Sequence, residues 1–213
     1  MSTPSLVVLD GVSVRAGSLQ ILRTVDLRVE PGEIVGVFGS NGAGKTTLLR
    51  LLATLIRPSA GSGSVLGAQL SSQERYDVRQ NIGYVGHVPG LYGELTLSEN
   101  LSFMARARGL DDAVVEKSLA AVGLEGASRR LADQCSHGMQ RRAEFARVLM
   151  TRPDLLLLDE PHSALDADAI DLVDSLVQRT ASQGGAAVLV SHDKERVLNV
   201  ADRTFEVAGG NLV

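Results

Sequence analysis

The chain has 213 residues, 44% hydrophobic and 22% charged, with a formal net charge of −4. That length supports one core without covalent staples, and the one cysteine excludes an internal disulfide framework and any multi-cysteine metal site. The acidic balance argues against a general nucleic-acid surface, no apolar run approaches a membrane span, and MSTPSLVV lacks the positive region of a signal peptide. These counts predict a soluble, reduced, intracellular domain of mixed class.

In chain order, Leu6–Leu9 and Ile21–Val29 read as strands, since aliphatic and β-branched residues dominate them. Pro31-Gly32 marks a turn. The apolar run Ile34–Phe38 predicts a buried strand, followed by a glycine-rich loop and a helix from Lys45 to about Leu55. Pro58–Gly63 reads as a loop and Ile82–Val85 as another strand. From His87 to Thr151 the texture becomes helical. Ser98 is placed to cap a helix through Arg108, and Asp111 or Asp112 one through about Val122. Residues 138–150 form a third helix, with Phe145, Val148 and Leu149 on its apolar side and Arg141, Arg142, Glu144 and Arg147 supplying its charges. Leu155–Leu158 is a buried strand, Asp166–Ser182 a helix ended by Gly184-Gly185, and Ala186–Val190 a strand. Asp193–Ala201 is a short helix, and Thr204–Val213 a closing hairpin around Gly209-Gly210. Strands alternating with helices favour a largely parallel sheet. The expected organisation is a single α/β domain over 1–213, its core at 1–86 and 152–213 and a helical lobe inserted at 87–151.

Gly39-Ser40-Asn41-Gly42-Ala43-Gly44-Lys45-Thr46 fits G-x-x-x-x-G-K-[ST], followed by Thr47. A strand precedes it and a helix follows. Glycines let backbone N–H groups close around phosphate oxygens, and the helix N-terminus adds its positive end. Lys45 is suited to the β- and γ-phosphates of a nucleotide and Thr46 to Mg²⁺. The alternative is a glycine-rich loop with a solvated lysine. A second metal anchor is expected from Asp159, at the end of the leucine strand, because ligands collect at the carboxyl ends of parallel strands. Glu160 is then placed to orient or deprotonate an attacking water.

With these motifs in order, the chain resembles the ATP-binding subunits of ABC transporters over nearly its whole length. Cys135-Ser136-His137-Gly138-Met139 resembles the LSGGQ signature, matching at Ser136 and Gly138 and departing at Cys135, His137 and Met139. Pro161–Asp166 resembles the end of Walker B with the D-loop, and Ser191-His192-Asp193 the switch-histidine segment. The resemblance implies a phosphate-loop NTPase of RecA-like core, with an antiparallel β subdomain and a helical lobe. It implies ATP and Mg²⁺ as ligands, and phosphate binding by Gly39, Ser40, Asn41, Gly42, Ala43, Gly44, Lys45, Thr46 and Thr47. Metal binding falls to Thr46 and Asp159, and catalysis to Glu160 and His192. Ser136 and Gly138 would read the nucleotide of a second ATP-binding subunit, most simply a second copy of this chain. His87 occupies the place of the Q-loop glutamine. Imidazole is titratable, so activity is expected to fall as His87 protonates.

The stretch Val12–Gly17 carries no aromatic to stack on adenine; Arg15 can offer its guanidinium plane, or apolar contacts alone can hold the base. Cys135 reads as a small buried residue or as a thiol whose alkylation blocks dimer closure. His162 reads as a satisfied core or surface side chain. Residues 87–110, including Tyr92, Phe103 and Met104, are either a docking surface or the lobe's own core. The resemblance further implies a separate integral membrane permease, no nucleic-acid partner, and a cytoplasmic position peripheral to the inner face of the cell membrane. Gly39–Gly44, Gly86–Gly90 and Glu94–Leu101 are similar to the haem-exporter ATPases of cytochrome c maturation, including the missing glutamine and aromatic. A soluble ABC ATPase outside transport is the alternative. A GTPase would need an N-K-x-D guanine reader, and none is present.

Overall fold

In the computed structural model, residues 4–162 and 167–213 are described, with backbone only for Ala167. The D-loop assignment and the start of the following helix therefore fall partly outside the described residues, at 163–166. The chain divides into two compact units: Met1–Tyr84, Pro153–Pro161 and Val177–Val213 make the first, and Val85–Arg152 with His162–Leu176 the second.

The first unit holds two sheets. One is four-stranded, in the order β2 (Leu19–Val29), β1 (Val7–Ala16), β4 (Ala60–Val65), β5 (Ala68–Gln69). Its pairs β1–β2, β1–β4 and β4–β5 are antiparallel. Strand β4 corrects the expectation of a loop at Pro58–Gly63. The segment is poor in side chains because backbone crosses it closely: a Cβ on Gly61 would lie 2.3 Å from the carbonyl oxygen of Gly11.

The second sheet runs β10 (Asn211–Leu212), β9 (Arg203–Ala208), β3 (Ile34–Phe38), β8 (Ala186–Ser191), β7 (Leu155–Asp159), β6 (Ile82–Val85). Strand β3 pairs in parallel with both β8 and β9, β8 in parallel with β7, and β9 with β10 as the expected hairpin. Every residue of β7 and β8 is buried, which is why both read as apolar runs up to their last residues, Asp159 and Ser191. Helix α1 (Lys45–Leu52) buries Leu48, Leu49, Leu51 and Leu52 in the same core as Val35, Val37, Leu155, Leu157 and Val188. Helix α6 (Lys194–Val200) lies against β3 at Gly36, where an added Cβ would stand 2.1 Å from Val197 Cγ1.

The second unit contains α2 (Leu97–Ala107), α3 (Ala113–Ala121) and α4 (His137–Thr151), which pack on one another. Thr96, not Ser98, caps α2. Its hydroxyl accepts the Glu99 N–H at 3.1 Å and the Glu99 carboxylate accepts the Thr96 N–H at 2.8 Å, a full capping box. The Thr96 N–H, and after it the Thr96 hydroxyl donating to Glu99 Oε2 at 2.8 Å, hold the Glu99 carboxyl below the usual range. Asp111 accepts the Ala113 N–H at the start of α3. Helix α5 (Ala167–Ser182) gives 167–176 to the second unit and 177–182 to the first. No helix among the described residues is long and apolar enough to cross a membrane.

Candidate active site

Parallel pairing aligns the ends of three strands. Phe38 is level with Ser191 across β3 and β8, and Asp159 with Val190 across β7 and β8. The phosphate loop, Asp159-Glu160 and Ser191-His192 therefore leave the sheet together at the carboxyl ends of these strands, where an open α/β sheet binds ligands.

The loop turns sharply into α1. Gly44 sits at φ +114° and Gly39 at +152°, backbone that L side chains rarely adopt. The Lys45 ammonium is buried within the loop and donates to the carbonyls of Gly39 at 2.7 Å and Ser40 at 3.1 Å. Ser40, Asn41 and Gly42 are exposed at the turn of the loop. The Thr46 hydroxyl donates to Asp159 Oδ2 at 2.8 Å. One hydroxyl and one carboxylate thus share a spot at the loop's edge. Both are hard oxygen donors, suited to Mg²⁺ completed by water and phosphate. Thr47 is half-buried on the first turn of α1.

Glu160 follows Asp159 with φ +50°, and its N–H donates to the Val190 carbonyl at 2.8 Å. Its carboxylate is held three ways. Oε2 accepts the Ser191 hydroxyl at 2.9 Å and lies 3.0 Å from His192 Nδ1; Oε1 accepts the His192 backbone N–H at 2.9 Å. With its proton on Nδ1, the exposed imidazole donates to the carboxylate. Ser191 also accepts the Asp193 N–H, and Asp193 caps α6 by accepting the Arg196 N–H. The structure brings together Thr46 with Asp159, and Glu160 with His192. Ser191 was given no role by sequence reasoning. The available signal was its place at the end of β8, beside the acid that ends β7.

His87, Ser136 and Gly138 belong to the second unit. Ser136 is exposed and caps α4 by accepting the Met139 N–H at 3.3 Å. Gly138 is half-buried, and a Cβ on it would meet nothing within 4 Å. His87 is exposed in the loop after β6. Cys135 is buried and its thiol donates to the Leu131 carbonyl at 3.3 Å; burial pushes the thiol pKa up. His162 is nearly buried and satisfied by Asp174 Oδ1 at 3.1 Å, which fits the structural reading. Arg15 is exposed and its guanidinium makes a long, 3.5 Å bond to the Ser18 carbonyl on its own hairpin.

The charges of α4 are not a solvated face. Arg141 and Glu144 are 1% and 2% exposed. Glu144 Oε1 accepts the Gly90 N–H at 3.0 Å, Oε2 lies 3.4 Å from Arg141 Nη1, and Arg141 Nη1 donates to the Gly86 carbonyl. Burial raises the Glu144 pKa despite both neighbouring guanidiniums, and lowers that of Arg147. The residues of 87–110 divide between both earlier readings. Leu97, Leu101 and Ala105 are core, whereas Val88, Tyr92 and Phe103 are 76%, 61% and 54% exposed. Tyr92 and Phe103 meet edge to face at 5.8 Å.

A family model described as ABC transporter matches residues 22–163, more than half of the chain. The chain belongs to the ABC transporter family. This ABC ATPase is 37% identical over 201 residues to the aliphatic sulfonates import ATP-binding protein SsuB 1 of Xanthomonas axonopodis pv. citri (strain 306), covering 92% of this chain and 78% of that one. It is 43% identical over 171 residues to the cytochrome c biogenesis ATP-binding export protein CcmA of Escherichia coli (strain K12), covering 80% of each. Among solved structures, an ATP-binding subunit of an ABC transporter superposes with a TM-score of 0.90 at 27% identity, over 98% of this chain and 88% of that one. A dimeric, post-hydrolysis ATP-binding cassette bound to ADP and Pi superposes with a TM-score of 0.84 at 26% identity, over 97% and 96%. The expected P-loop NTPase fold and ATPase class therefore stand.

Proposed function

We propose that this ABC ATPase powers export through a separate integral membrane permease, working as a homodimer on the inner face of the cell membrane. The observation that carries the hydrolytic part is Glu160, one residue past Asp159, with its carboxylate held by Ser191 and His192. Export, and haem or cytochrome c maturation as its setting, are supported by the 43% identity to the CcmA protein and by the Gly86–Gly90 stretch. The importer relative at 37% keeps the direction a proposal.

In this reading the loop N–H groups and Lys45 bind the ATP phosphates, with Thr47 on the same turn. Thr46 and Asp159 would hold Mg²⁺, which when bound would supply positive charge against the phosphates. Glu160 takes a proton from the water that attacks the γ-phosphorus, and the ADP oxygen leaves. His192 keeps the carboxylate aimed. Ser136 and the backbone at Gly138 bind the nucleotide of the second copy, and His87 serves where the family has glutamine. Val88, Tyr92 and Phe103 form the apolar surface for the permease. Asn100 fixes the backbone of Tyr92 there: it accepts the Tyr92 N–H and donates to the carbonyls of Tyr92 and Thr96.

Glu160→Gln is expected to accumulate an ATP-bound dimer with its partner present, whereas Lys45→Ala loses nucleotide binding. A Glu160→Gln protein that stays monomeric with ATP overturns the dimer mechanism. Membranes should yield the chain together with an integral partner; recovery only as a free soluble enzyme favours an ABC ATPase outside transport. His87→Ala should lower kcat for MgATP, and a wild-type kcat removes His87 from the chemistry.

A further inference from the structure

Two residues one helical turn apart on α4 grip both ends of one short loop. Arg141 donates to the Gly86 carbonyl, and Glu144 accepts the Gly90 N–H at 3.0 Å. Between those points lie His87, Val88 and Pro89. Arg141 and Glu144 are joined at 3.4 Å, and Arg147 Nη2 stands 3.9 Å from the other Glu144 oxygen. The same helix begins at Ser136, whose hydroxyl caps it. The neighbouring positions Ala143, Phe145 and Ala146 are apolar and fully buried. An apolar residue at 144 would therefore suit the packing, and a buried ion pair is seldom more stabilising than such a residue. What the carboxylate adds is its hold on the loop backbone.

We propose that Glu144, with Arg141, is a positioning residue that locks the His87 loop to the helix carrying Ser136, so that the two move as one body. The proposal rests on the reading of His87 and Ser136 given above. When Ser136 engages the nucleotide of the second copy, α4 shifts and the clamp carries His87 with it. One unit then reports the occupancy of one nucleotide to the chemistry of the other.

The test is steady-state hydrolysis of MgATP by the full chain, comparing Glu144→Leu with Glu144→Gln. Leu removes the acceptor for the Gly90 N–H, whereas Gln keeps an oxygen there. Glu144→Leu should lower kcat about tenfold with KM within about twofold, because a small misplacement of a reacting group costs that much. Glu144→Gln should recover most of the loss. Equal kcat for the two variants, or a loss confined to KM, overturns the clamp. If Glu144→Leu does not fold, Arg141→Met replaces it, with the same expected loss and an unchanged kcat overturning the idea. His87→Ala separates the layers. A wild-type kcat in His87→Ala overturns the reading beneath the clamp; a loss there beside an unaffected Glu144→Leu overturns the clamp alone.

Discussion

The Ser191 hydroxyl donates to Glu160 Oε2 across 2.9 Å, so the last residue of β8 aims the carboxylate that follows β7. The bond is charge-assisted. Ser191→Ala should leave KM for ATP unchanged and lower kcat roughly tenfold, since hydrogen bonds to charged groups contribute about 1.5–3 kcal/mol. Steady-state ATPase kinetics check this. A kcat equal to wild type would show that His192 alone suffices to aim the acid.

Gly36 leaves no room for a side chain: an added Cβ would meet Val197 Cγ1 at 2.1 Å and Ala201 Cβ at 2.9 Å. Gly36→Ala should push α6 off β3 and destabilise the first unit by about 1–3 kcal/mol, the usual cost of overpacking. Because α6 is joined to His192 through Asp193, activity should fall along with stability. Urea unfolding measures the first effect; no change in midpoint would refute the packing argument.

The Thr96 cap predicts a pH-dependent loss. Thr96→Ala should cost about 1 kcal/mol of stability at neutral pH. Glu99 binds as a carboxylate and its pKa is depressed in the fold. Its contribution is therefore present above the ordinary carboxylate range and disappears as pH falls through the depressed value. The gap in Tm between wild type and Thr96→Ala should narrow in acid. A gap constant from pH 7 to pH 3 would mean that the carboxylate takes no part.

Cys135 should react slowly. Its thiol is buried and its pKa raised, chiefly by burial, so little thiolate forms at pH 8. Iodoacetamide labelling followed by mass spectrometry should be at least about tenfold faster in urea than in the native protein. Equal rates would place the thiol on the surface.

Much of the fold was legible where one local rule decides. Strands β3 and β6 match the apolar runs Ile34–Phe38 and Ile82–Val85 residue for residue. Strand β4 was not legible, because the close crossing of Gly61 over Gly11 demands a glycine- and serine-rich segment that looks like a loop. The α2 start was misplaced by two residues although its signal was present: Glu99 stands three residues after Thr96, and one after Ser98. In the site, Lys45, Thr46, Asp159 and Glu160 follow from motif and strand order. Ser191 needed the β7–β8 register. Arg141 and Glu144 were invisible as buried groups, since helical spacing places charges on a face and only tertiary packing says what covers it.

Glu160 stands at φ +50°, in backbone where glycine and asparagine are more at ease. Any side chain but these costs of order 1 kcal/mol there. Replacement by glycine or asparagine would thus relax the backbone while removing the carboxylate proposed to act on water. A variant chosen for heat resistance alone would thus be sturdier and, if the carboxylate acts as proposed, silent.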